Sequence, residues 1–83
     1  MKITVKLFAS LRTLLPPDTP WDGLPIDVPD NVTPYQIIDQ FHVPRPMAHL
    51  VLQNGVYLEP SKRNKPVLGD GDVLAVWPPI AGG

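Results

Sequence analysis

Twelve prolines are scattered through 83 residues, against an average usage of about 5%. Each fixes φ and lacks an amide donor, so it interrupts a helix and is tolerated in a sheet only at edges. They do not repeat and do not cluster into a linker; they punctuate short elements. Between them, residues 2–8 alternate, with Ile3, Val5 and Leu7 on one face and Lys2, Thr4, Lys6 and Phe8 on the other. That period of two predicts a half-buried strand. Phe8 is an aromatic on its otherwise polar face. Residues 16–23 are turn chemistry. Leu24–Val28 predicts a second strand returning as a hairpin partner of the first, and Pro25 places it at an edge.

A short helix follows. Thr33 suits the N-cap, Pro34 the first helical position, and Gln36 the third place of a capping box. Ile37, Ile38 and Phe41 supply an apolar stripe, and Pro44 and Pro46 end the helix, which is expected over about residues 33–42. A helix this short must be held by packing on a sheet. Met47–Gln53 predicts a third strand, Asn54-Gly55 a hairpin turn, and Val56–Leu58 a brief return strand. Residues 59–66 form a basic loop whose Lys62, Arg63 and Lys65 are expected to be solvated. Gly69–Asp72 is a tight turn before a last strand, Val73–Trp77. There Leu74 and Val76 point one way, and Val73, Ala75 and Trp77 the other. The order predicts an α+β fold: a mixed sheet of about five strands with one short helix on one face.

Composition narrows the function. A net charge of −1 gives no basic footprint for nucleic acid and no polybasic patch for a membrane surface. No apolar run approaches the roughly 20 residues of a membrane span, and the start lacks the features of a signal peptide. A cytoplasmic location is expected. The chain has no cysteine, hence no disulfide, thiolate metal site or thiol nucleophile. His42 and His49 stand without a cysteine or a matching carboxylate pair, so no metal site is expected. Asp70 and Asp72, flanked by glycines, read as turn formers rather than an acid–base pair. No phosphate loop or nucleophile elbow appears. The chain is not expected to be an enzyme on its own account.

The sequence closes on Gly82-Gly83 behind Pro78-Pro79-Ile80-Ala81. Glycine has no Cβ, so such an end fits a channel too narrow for other residues. Six residues from Pro78 reach about 20 Å when extended. A frayed terminus is the plain alternative.

Four segments, in this order, resemble the ubiquitin-like sulfur carriers of the MoaD/ThiS family, and especially the molybdopterin synthase small subunit. They are Val5–Arg12, Asn54-Gly55, Leu68–Asp72 and Trp77–Gly83. The proline-rich loop within residues 16–29 has no counterpart in that pattern. The resemblance implies a β-grasp fold over residues 1–77 and a flexible tail over 78–83. It implies that an adenylating enzyme uses ATP to activate the Gly83 carboxylate, and that sulfur then leaves a thiocarboxylate there. The chain itself is expected to bind no cofactor. Pro78, Pro79, Ile80, Ala81 and Gly82 form the tail. The expected acceptor is the large subunit of molybdopterin synthase. Alternatives are another sulfur acceptor in thiamine or other thiolation chemistry, a ubiquitin-like protein modifier, and a non-covalent interaction domain. In a β-grasp sheet the first and last strands adjoin, so Phe8 and Trp77 are expected to share a partner-binding surface that Tyr57 joins.

Overall fold

A computed structural model describes residues 1–79; Ile80, Ala81, Gly82 and Gly83 lie outside the described residues. The strands are β1 (Lys2–Leu7), β2 (Leu24–Asp27), β3 (Leu50–Gln53), β4 (Val56–Tyr57) and β5 (Val73–Trp77), with one helix, α1 (Pro34–Gln40). They form one sheet in the order β2-β1-β5-β3-β4. β1 and β5 run parallel at its centre, while β2 on β1, β3 on β5 and β4 on β3 are antiparallel. This is the β-grasp architecture.

Local chemistry explains each element. β1 buries Ile3, Val5 and Leu7, as its alternation requires. β2 is an edge strand, where the missing amide of Pro25 does no harm. Asn54 (φ 51°) and Gly55 (φ 82°) make the left-handed pair that a two-residue hairpin needs. At α1 the capping box is complete: Gln36 N donates to Thr33 Oγ1 at 3.1 Å, and Thr33 N donates to Gln36 Oε1 at 2.9 Å. At the other end, Val43 N donates to Ile38 O at 3.2 Å and His42 N to Asp39 O at 2.9 Å. That pair of bonds is a Schellman motif, with His42 in the left-handed position (φ 61°) usually given to glycine.

The inner face of the sheet holds Ile3, Val5, Leu7, Val51, Leu74 and Val76, against which α1 sets Ile37 and Ile38. Phe41 packs at the margin of this core. Each fully buried aliphatic side chain is worth about 1.5–3 kcal/mol relative to exposure, so packing holds a helix of barely two turns in place.

The structure departs from expectation at the start of β3 and at Arg63, and adds short 3-10 helices. β3 begins at Leu50 rather than Met47, because Arg45–Met47 turn as a short 3-10 helix behind Pro44. Residues 9–14 form a 3-10 helix, and Pro60–Lys62 another. Arg63 is not solvated: it is 3% exposed. Its Nε donates to Leu58 O (2.9 Å), Nη1 to Ala48 O (3.0 Å) and Nη2 to His49 O (3.4 Å). The guanidinium fork satisfies carbonyls that the irregular chain around β3 and β4 leaves over, a task a lysine cannot perform with the same geometry.

Candidate functional site: the end of the central strand

β5 lies between β1 and β3, so its last residues are held from both sides. Phe8 N donates to Val76 O at 3.0 Å, and His49 N donates to Trp77 O at 3.1 Å. Pro78 and Pro79 follow and donate nothing, so the ladder ends there. Pro78 is buried and Pro79 exposed. β5 thus ends at an anchored point at the centre of the sheet.

The side chains at that point form an apolar surface. The rings of Phe8 and Trp77 are stacked, with centroids 3.9 Å apart and planes 3° from parallel. Leu7 pairs with Val76, so the next residues of the two parallel strands fall together on the outer face. Trp77 is paired on its other side with Leu50, which is 36% exposed. The same register carries the face across Ala75 and Leu52 to Tyr57, 55% exposed. Phe8 and Trp77 are in contact; Tyr57 shares their face but lies at the far edge. There its ring sits 5.7 Å from the Arg63 guanidinium.

Among the described residues no cluster of three or more His, Cys, Asp or Glu could hold a metal. Asp72 is a turn former. Its Oδ2 accepts from Gly69 N (2.7 Å) and Gln53 Nε2 (2.9 Å), and its Oδ1 accepts from Asn54 Nδ2 (2.9 Å). These bonds, that from Asn54 foremost, hold the Asp72 carboxyl below its usual pKa of 3.8. An open groove of about 570 Å³ runs beside β4. Its one carboxylate, Glu59, is 3.9 Å from Lys62, and the groove lies at the β4 edge of the sheet, two strands away from β5 and its Trp77.

The ThiS family model matches residues 5–83. The chain belongs to the ThiS family. It is thereby a ThiS/MoaD-like small protein of ubiquitin-like fold. Among the solved structures that share its fold are two from Haloferax volcanii. The solution structure of the Haloferax volcanii HVO 2177 protein is 22% identical with a TM-score of 0.77, covering 100% of this chain and 87% of the other. The crystal structure of SAMP1 from Haloferax volcanii is 23% identical with a TM-score of 0.66, covering 100% of both chains. No curated protein matches the sequence. Among the described residues no helix is long and apolar enough to cross a membrane.

Alternation marked Phe8 and Trp77 as facing outward, and their pairing follows from the parallel register. Two features carried no such signal: Arg63, and the contact of Arg12 with Trp21, whose ring centroid is 4.4 Å from the guanidinium carbon. The candidate residues Ile80, Ala81, Gly82 and Gly83 lie outside the described residues.

Proposed function

We propose that this chain is a cytoplasmic sulfur carrier whose reactive group is the α-carboxylate of Gly83, acting as the small, non-catalytic subunit of molybdopterin synthase. An adenylating enzyme supplies the first step. A carboxylate oxygen attacks the α-phosphorus of ATP, and pyrophosphate leaves. Sulfide (HS⁻) from a donor then attacks the acyl carbon, and AMP departs with the oxygen. The resulting thiocarboxylate is anionic at neutral pH and nucleophilic, so sulfur is delivered without a cysteine. ATP belongs to the partner enzyme; the carrier needs no cofactor of its own. Gly82 keeps the tip slim enough for a closed site.

The observation that carries this reading is the anchoring of Trp77. The last strand residue is hydrogen-bonded by its neighbour His49 and stacked on Phe8, with two prolines next in sequence. A partner can grip the apolar surface while the segment beyond Pro79 enters its active site. The Phe-Ala-Ser-Leu-Arg segment (Phe8–Arg12) and the Pro-Pro tail favour molybdopterin synthase over other acceptors.

Intact mass spectrometry tests the proposal. Incubation with ATP, a sulfur donor and an adenylating enzyme of this class is expected to add about 16 Da, sulfur replacing oxygen. The large subunit of molybdopterin synthase and its pterin precursor should then discharge the product. A ladder of lysine conjugates instead marks a protein modifier. An unchanged mass with every activator overturns the carrier reading.

A further inference from the structure

Among the described residues the most exposed large apolar side chain is that of Trp21, at 78%. It stands in the proline-rich connection between β1 and β2, in a segment held by its own hydrogen bonds. Arg12 Nη2 donates to Thr19 O at 2.7 Å, and the same guanidinium covers one face of the indole. Thr19, itself 7% exposed, donates from Oγ1 to Pro16 O at 2.7 Å. Gly23 N closes the far side onto Pro20 O at 3.1 Å. Prolines at 16, 17 and 20 remove backbone freedom before any partner arrives. Such a side chain is presented at low entropic cost, as interface anchors are.

Topology places this anchor. β1 and β5 are parallel, so the β1–β2 connection starts at the same end of the sheet from which the chain leaves after Trp77. One side of the loop is tied to Arg12, four residues beyond Phe8. The other is tied to the outer face: a Cβ at Gly23 would lie 2.5 Å from Thr4 Cγ2 and 3.0 Å from Lys6 Cγ. Thr4 and Lys6 alternate with Phe8 on that face. The loop therefore prolongs the Phe8–Trp77 surface rather than forming a separate one. Its charges, Arg12 against Asp18 and Asp22, leave a single net negative charge, and Leu14 is also exposed at 38%. The contact it offers is apolar.

We infer that Trp21 is a second anchor for the protein that binds the Phe8–Trp77 face, inserting its uncovered indole face into an apolar pocket of that partner. The partner class is the adenylating enzyme, so the inference rests on the carrier function proposed above. Arg12 acts as the positioning residue that holds the ring.

The test is adenylation of the full chain by an adenylating enzyme that accepts the wild type, followed by pyrophosphate release over a range of carrier concentrations. Trp21→Ser is expected to raise KM for the carrier about thirtyfold, the size of one interface hot spot, with kcat unchanged. Trp21→Tyr should recover most of that loss. The effect should persist at high salt, because an apolar contact is little screened. Thermal melts accompany each variant to exclude loss of the fold. An unchanged KM in folded Trp21→Ser overturns this inference and leaves the carrier reading intact. A wild type that no such enzyme adenylates overturns both.

Discussion

Asn54 and Asp72 join the β3–β4 hairpin to the turn before β5. Asn54 Nδ2 donates to Asp72 Oδ1 at 2.9 Å, and Asn54 Oδ1 accepts from Val73 N at 2.8 Å. Asp72 further accepts from Gly69 and Gln53. These donors favour the charged carboxylate and lower its pKa from 3.8 in the fold. A depressed folded pKa contributes stability that is present above the unfolded value and lost as pH falls through the folded value. Melting temperature is therefore expected to drop on acidification below about pH 4. Asp72→Asn should be less stable at pH 7, and its gap from the wild type should narrow toward pH 2–3. A gap independent of pH would contradict this account.

His42 occupies the left-handed position of the α1 C-cap. A side chain there costs about 1–2 kcal/mol, partly offset by the greater unfolded-state freedom of glycine. His42→Gly is expected to stabilise the domain by about 0.5–1 kcal/mol, read as a higher denaturant midpoint at constant slope.

Arg63 is the one buried guanidinium among the described residues. Arg63→Ala strands the carbonyls of Ala48 and Leu58 and opens space beneath β4, a loss of about 3 kcal/mol. Arg63→Lys should recover less than half of it, since an ammonium lacks the fork. Urea unfolding of the three proteins gives the ranking directly.

Gly23 combines φ 109° with close packing on β1, where an added Cβ would also come within 3.0 Å of Val5 O. Gly23→Ala is expected to destabilise by about 3 kcal/mol. Full stability in the same denaturant titration would show that the β1–β2 connection shifts freely.

Phe8→Asp and Trp77→Asp place a charge in the stacked pair on the outer face. Circular dichroism is expected to stay native, because both rings lie outside the main core, while affinity for the adenylating enzyme falls at least about tenfold. Wild-type affinity in either folded variant would remove this surface from the interface.

Much of this fold is written locally. The alternation of Ile3, Val5 and Leu7, the Thr33–Gln36 box and the Asn54-Gly55 turn act within a few residues, so they are readable one segment at a time. Pro25 even marks its strand as an edge. The buried role of Arg63 was not readable. It sits between Lys62 and Asn64 in a polar run, and its acceptors Ala48 and His49 lie 15 and 14 residues away. The meeting of Arg12 with Trp21 depends likewise on how the proline-rich loop folds back. For Phe8 and Trp77, alternation supplied the faces, while their contact depends on the parallel pairing of two distant strands. The family resemblance supplied that pairing.

The strand order has a consequence for synthesis. β5 is made last yet lies between β1 and β3, so a growing chain holds two hairpins with no seam until residues 73–77 leave the ribosome. These central pairings span most of the sequence, and such contacts form late. The Phe8–Trp77 surface exists only once that seam closes. Any partner that recognises this stacked pair would thereby recognise only molecules in which the central seam has closed.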